Sequence, residues 1–489
     1  MAKYMGACRN TTKRAPDPPR IIDICSRKPK LMSDTPPLTS SRRSFLKHSG
    51  RVATAGTLAG MAVPHVHAAE DQTLQVALIG CGGRGTGAAA DALSARQGPV
   101  KLVAMVDVFP DRVTNRYNNL KERFGDQVDV PADRQFVGFD GYQHALDCLK
   151  PGDIVISATP PAFRWAHLDY AVGKGLHAFM EKPLTADGPT SRRILELGKQ
   201  AEAKNLKIGV GLMSRHARNL QQLDTRVRDG QIGEILTMRA YRMHGGFPKA
   251  FAEKWPGEPS EVLWQLQRFH SFLWASGGLF NDLYIHLIDH LCWIKGDWPV
   301  RAQSLGGRHY RGNSVDQNFD SYAVEYVFAD GARLYMHGRC MPGAHANFSS
   351  ALQGTRGCAV ASRRGDCGGP SSTFAGQNFD DAQRTWQSQI PSGEGNPFRN
   401  QWNALVNAIR QDQPFNEVEH GVMASLVCSL GRRAAHTARE ITLEQMLNCP
   451  VEFAPGLDQW TTDPPAPVQA DADGNYPIPQ PGILTDREY

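Results

Sequence analysis

From residue 74 onward, short apolar runs alternate with longer stretches of helical periodicity. Residues 74–79 form a short, largely apolar run ended by glycines, and 100–106, 153–158, 177–180 and 206–212 repeat the pattern. Such runs, separated by helix-length segments, predict parallel strands covered on both faces. After about residue 215 the rhythm changes. Residues 235–243, 300–305, 322–328 and 333–338 read as strands with no helix between each pair, which predicts a largely antiparallel second sheet. One long helix, 279–294, interrupts it, and helices return at 398–410 and 421–439. Residues 361–397, rich in Gly, Ser, Asp and Gln, read as an inserted loop. Residues 454–489 hold many Pro and Asp with little apolar periodicity and read as an extended tail.

The first turn carries a ligand signature. Gly80-Cys81-Gly82-Gly83-Arg84-Gly85 fits G-x-G-x-x-G, directly after a predicted strand and at the start of a helix. Glycines there permit a tight turn and let backbone N–H groups approach a pyrophosphate at a positive helix N-terminus. The second strand ends in Asp107, 22 residues past Gly85. A carboxylate at that place accepts hydrogen bonds from ribose hydroxyls and repels a 2′-phosphate, so NAD is expected over NADP. The fold expected is an α/β Rossmann domain over 70–212, followed by an α+β domain with an open, largely antiparallel sheet over 213–453.

Charge and cysteine usage add the cellular context. Residues 1–69 hold twelve Lys and Arg against three Asp, a net of +9; the chain totals +5, so the remainder carries −4. A mildly acidic body argues against nucleic acid or an anionic membrane as partner. Within the basic segment, Ser41-Arg42-Arg43-Ser44-Phe45-Leu46-Lys47 resembles the twin-arginine export consensus. An apolar stretch of about a dozen residues and the small-residue pattern Val66-His67-Ala68 follow, which predicts a leader cleaved near 68 and a periplasmic destination. That stretch is too short to span a bilayer, which takes roughly 20 residues. The position of Met32 leaves two possible start sites. The ten cysteines form no Cys-x-x-Cys pair and no zinc-ligand spacing, so mostly free, buried thiols are expected.

Two further segments sharpen the reading. Met180-Glu181-Lys182-Pro183 follows a strand whose C-terminal end faces the predicted cofactor crevice. Gly277-Gly278 opens the long helix, on which Asp282 and His286 lie four apart on one face. With these motifs the chain resembles the glucose–fructose oxidoreductase / inositol dehydrogenase / rhizopine-catabolism (Gfo/Idh/MocA) family over roughly residues 72–450. The resemblance implies oxidation of a sugar or polyol CH–OH group with a nicotinamide cofactor. It implies Lys182 near the nicotinamide and reacting hydroxyl, His286 as principal acid/base, and Asp282 orienting it or the substrate. Thr159-Pro160 is similar to the family's dinucleotide-contacting turn, and Glu181 belongs to the same cofactor set. The family's second sheet often makes dimer or tetramer contacts, which implies a homo-oligomer.

The chain departs from the family at Arg164, where many relatives carry His. The dense aromatics of Trp264 to Trp274 suit a sugar face or pack beneath a long loop, and Arg268 and Trp274 are candidate substrate contacts. Arg215, with His216, is a further candidate. His286 and His290 are four apart, as metal ligands on a helix can be, but no carboxylate-rich cluster accompanies them and no metal is expected. A redox-neutral glycosidase, lyase or epimerase that oxidises and re-reduces one molecule stays open, as does a dinucleotide-binding protein without catalysis.

Overall fold

The computed structural model describes residues 73–247, 250–309 and 312–489. The twin-arginine segment lies outside the described residues. The first sheet has six strands: β1 Leu74–Ile79, β2 Val100–Asp107, β3 Gln135–Val137, β4 Ile154–Ser157, β5 His177–Met180 and β6 Ile208–Val210. Their order is β3-β2-β1-β4-β5-β6 and every pairing is parallel. β1, β2, β4 and β5 are buried almost throughout, which is why they read as largely apolar runs, interrupted where Gln75 and Lys101 are half-exposed in β1 and β2. β3 is a three-residue edge strand without such a run. The order reverses between β1 and β4, and an α/β sheet opens its ligand crevice at such a point.

The second sheet has nine strands: β7 Ile235–His244, β8 Arg301–Gly307, β9 Ser321–Val327, β10 Arg333–Cys340, β11 Asn347–Gly354, β12 Gly357–Ser362, β13 Ser372–Ala375, β14 Arg384–Gln387 and β15 Ile441–Thr442. All neighbours are antiparallel except β7 and β10. Buried and half-exposed residues alternate along β9 and β10, so the sheet has one covered face. Helices Gly278–Lys295 and Val418–Thr437 cover it. Fifteen of the eighteen residues of Gly278–Lys295 are buried, so side chains on every side of this helix lie within the protein.

Three segments differ from the expectation. Residues 361–397 are not a free loop: β13 and β14 extend the sheet there, and residues 363–370 form the turn between β12 and β13. Helix Pro397–Arg410 returns to the first sheet, where Trp402, Leu405, Val406 and Ile409 join the core beneath β1, β2 and β4. The first unit therefore draws on chain well past residue 212. The tail beyond 454 has little regular structure but is packed. Leu457, Val468 and Tyr476 are buried among Trp264, Phe272 and Trp274, and Glu488 lies between Arg432 and His436. The eight described cysteines are all free, six of them buried. Among the described residues no helix is long and apolar enough to cross a membrane.

Candidate active site

A cleft of about 790 Å³ opens at the C-terminal ends of β1, β2, β4 and β5. Its near wall is the glycine turn, residues 80–85. Gly80 has φ +91°, and a Cβ there would stand 2.9 Å from the backbone of Ala158 and Thr159. A Cβ on Gly85 would run into the Gly80 carbonyl oxygen. These two glycines let β1, β4 and the helix Gly83–Leu93 close on one another. Gly82 and Gly83 have nothing within 4 Å of such a Cβ, so they leave the backbone open toward the cleft. Gly82 caps that helix without a side-chain hydrogen bond, and no acidic residue occupies the first turn. Open N–H donors, a positive helix end and free space fit a dinucleotide pyrophosphate.

Asp107 lies at the end of β2, on the same wall. Its two oxygens accept from Cys81 N–H at 2.7 Å and Phe109 N–H at 3.0 Å, which fixes the carboxyl against the turn. Burial pushes this carboxyl up, while Arg112, 3.9 Å away, works against that. Arg112 and Arg116 line the same part of the cleft and had no signal in the motif reading. From β4 come Thr159 and Pro160. Glu181 is buried at the end of β5 and pairs with Arg84 Nε at 3.0 Å, tying β5 to the first helix. Arg164 is wholly enclosed; it donates to the Pro183 carbonyl and, at 2.6 Å, to the Thr159 carbonyl. Burial lowers its guanidinium to about 10. The residue that departs from the family thus braces the two turns that carry Thr159 and Lys182.

The opposite wall is the helix Gly278–Lys295. Lys182 Nζ donates to Asp282 twice, at 2.7 Å to the backbone oxygen and 3.2 Å to Oδ1. The other carboxylate oxygen, Oδ2, lies 2.8 Å from His270 Nε2. Burial works to raise the Asp282 carboxyl, but Lys182 and His270 together hold it well below the usual carboxylate range. One turn on, His286 also lines the cleft. Burial, then the Lys182 charge, keeps its imidazole well below the usual histidine value. It is therefore a neutral ring at physiological pH, able to accept a proton. Lys182, Asp282 and His286 are brought together with the glycine turn in one cavity.

The structure does not bring the three substrate candidates there. Arg215 is spent on Asp289, with contacts of 2.8–3.1 Å, because that buried carboxylate needs a cation. Its neighbour His216 faces Glu417 at 3.0 Å. Trp274 is only 1% exposed, donates to Gln265 at 2.6 Å and packs against Phe163 and Trp460. Arg268 lies over the Trp264 ring, 5.0 Å from its centroid, and is absent from the cleft wall. From the aromatic segment only Leu266, Gln267, Phe269 and His270 reach the cleft. His290 faces away, with Nε2 2.9 Å from Ser350 Oγ. Among the described residues no group of three or more His, Cys, Asp or Glu could hold a metal ion. Asp366, from the turn between β12 and β13, is a cleft residue that no spacing in the sequence announces.

Residues 220–360 match the family model of the GFO/IDH/MocA C-terminal domain. Over that stretch the chain is similar to the C-terminal domain of the Gfo/Idh/MocA proteins. Inositol 2-dehydrogenase of Leifsonia xyli subsp. xyli (strain CTCB07) is 31% identical over 173 residues, 35% of this chain and 42% of that protein. The chain thus spans less than two thirds of that relative, as also of the rhizopine catabolism protein MocA of Rhizobium meliloti, 64% of which is matched at 23% identity. Among solved structures, the scyllo-inositol dehydrogenase of Lactobacillus casei with bound NAD(H) and scyllo-inositol superposes with a TM-score of 0.55 at 19% identity. It covers 76% of this chain and all of the other. The likeness extends to the fold, a Rossmann sheet followed by an open, largely antiparallel sheet.

Proposed function

We propose that this protein is an NAD-dependent oxidoreductase of the Gfo/Idh/MocA family acting on a sugar or polyol CH–OH group. The observation that carries the reading is the meeting of Lys182, Asp282 and neutral His286 in the cleft bounded by the open Gly82-Gly83 turn. Relatives with inositol dehydrogenase names support the substrate class. Gly82, Gly83, Arg84 and Asp107 would hold the dinucleotide, with Thr159 and Pro160 flanking it and Glu181 bracing Arg84. When bound, NAD supplies the hydride acceptor.

The chain's own groups then handle the proton and the charge. His286, neutral because it is buried beside Lys182, takes the hydroxyl proton. The Lys182 ammonium stabilises negative charge growing on the same oxygen, and Asp282 holds that ammonium in place. His270 fixes the second Asp282 oxygen, so the carboxylate keeps one orientation. We further propose that the Arg42-Arg43 leader exports the protein already folded, with NAD loaded beforehand.

The test is to incubate purified protein with myo-inositol, scyllo-inositol, glucose and levoglucosan and to analyse the products. A keto or lactone product from at least one is expected. Positioned acid/base catalysis is worth about 10²–10⁴ in rate, so Lys182→Ala and His286→Ala should each lose that much turnover while keeping bound nucleotide. Full turnover in either variant, or no oxidised product from any of the four, refutes the assignment.

A further inference from the structure

The turn between β12 and β13 carries one acidic side chain into the cleft, and its surroundings are built to hold it there. Asp366 lines the cavity together with Lys182, Asp282 and His286. Its Oδ1 is buried and finds no hydrogen-bond partner among the described residues. Burial pushes its carboxyl up, whereas Arg242 and Lys182 pull it down. Leaving a buried carboxylate oxygen unpaired costs several kcal/mol unless a ligand satisfies it.

The turn is anchored at several points. The buried Asn219 side chain donates to the Cys367 carbonyl at 3.2 Å, the Gly369 carbonyl at 3.4 Å and Ser371 Oγ at 3.1 Å. Ser362 Oγ donates to the Gly365 and Gly368 carbonyls at 2.8 and 3.1 Å. Gly365 N–H reaches the Phe348 carbonyl of β11 at 3.0 Å. Gly365 and Gly369 take φ values of +80° and +78°, which the tight turn requires. Arg242, whose charge Asp366 feels, is itself held against the Phe348 ring, 3.7 Å from its centroid. None of these partners belongs to the glycine turn or to the long helix.

We infer that Asp366 is a substrate-recognition residue, its carboxylate accepting hydrogen bonds from hydroxyls of a neutral polyol remote from the carbon that is oxidised. The inference rests on the polyol reading above. A carboxylate is acceptor-only with two oxygens, which matches a pair of adjacent hydroxyl donors. It disfavours a carboxylate or phosphate at the same place on the substrate, since two like charges would then meet at close range. Acid/base catalysis stays with His286 and Lys182, and Asp366 selects what is presented to them.

The experiment is calorimetric titration of the NAD-loaded protein with whichever of myo-inositol, scyllo-inositol, glucose and levoglucosan binds it best, and with the monodeoxy analogues of that compound. A charged hydrogen-bonding partner lost from a buried site weakens binding roughly 10- to 100-fold. Asp366→Ala should show that loss for the parent compound, with retained nucleotide and unfolding temperature close to wild type. At least one monodeoxy analogue should bind wild type as weakly as the parent binds the variant, and should be indifferent to the substitution. Should Asp366→Ala misfold, Asp366→Asn and the deoxy series on wild type still decide. A flat deoxy series, or unchanged affinity in Asp366→Ala or Asp366→Asn, overturns the assignment. Wild-type protein that binds none of the four compounds overturns the polyol reading beneath it instead.

Discussion

Asp282 sits between Lys182 and His270, and this arrangement governs the site at the scale of residues. Lys182 takes its backbone oxygen and Oδ1, His270 takes Oδ2, and His286 is left neutral one turn away. Lys182, Asp282 and His286 were legible through the family resemblance of their motifs, with helical spacing alone placing Asp282 and His286 on one face. His270 was not, since its contact with Asp282 depends on how the Trp264–Trp274 segment folds back. Arg215 misled for a related reason: one sequence does not say whether a charged side chain already has an internal partner, and Asp289 claims this one. The buried histidines lead to a pH prediction. His290 is fully buried, and burial lowers its imidazole to about 3. The unfolded chain takes up a proton below about pH 6.5 that the folded chain refuses until far lower, so stability falls with acidification across that window. Each such group contributes a slope of up to about 1.4 kcal/mol per pH unit. His290→Gln, which can still reach Ser350, should flatten the dependence between about pH 6.5 and about pH 4. Denaturant unfolding of both proteins across this range checks it; parallel curves would show that His290 takes no part.

At the scale of elements, the strand–turn–helix around residues 79–85 divides its glycines between two jobs. Gly85 is there for packing, because any Cβ meets the Gly80 carbonyl, whereas Gly82 faces open space. Gly85→Ala is therefore expected to destabilise the protein by about 1–3 kcal/mol through overpacking. Gly82→Ala should leave unfolding of the nucleotide-free protein nearly unchanged but weaken NAD binding. Thermal unfolding with and without NAD separates the two, and equal behaviour of both variants would contradict this division. The same element was legible in full, because apolar run, glycines and terminal Asp107 are all local signals. β1 and β5 were read with their bounds, and the central strands of the second sheet nearly so. β3 escaped because three edge residues cannot form a pattern. β13 and β14 escaped because they are polar, and what makes them strands is pairing with β12 rather than any periodicity of their own.

At the scale of the whole molecule, the tail and the cleft are physically continuous. Trp460 packs edge-on against Phe139 and Phe163 at 5.3 and 5.9 Å, and both of those rings line the cleft. Further on, Glu488 is buried with Arg432, at 2.9 Å through two hydrogen bonds, and with His436 at 2.9 Å. Removing one partner of a buried pair strands the other charge and costs about 3–5 kcal/mol. Glu488→Ala should therefore lower stability by that amount, which calorimetric unfolding would register; an unchanged transition would mean that the tail is not docked in solution. The export proposal requires slow release of nucleotide. A periplasm holds no substantial pool of free nicotinamide nucleotide, so an enzyme working there cannot exchange its cofactor each cycle. NAD is accordingly expected to stay bound through many turnovers, with the reduced form reoxidised in place by a second carbonyl compound or a later intermediate of the same molecule. Retention has a thermodynamic signature, since a ligand at 100 times its dissociation constant stabilises a fold by about 2.7 kcal/mol. The protein should be purified after export, dialysed exhaustively and denatured, and the supernatant assayed for nucleotide. Near-stoichiometric NAD, and an unfolding temperature that drops once the nucleotide is stripped, are the expected results. An empty protein that works only with added NAD and releases NADH into solution would instead describe a dehydrogenase that draws on a shared cofactor pool.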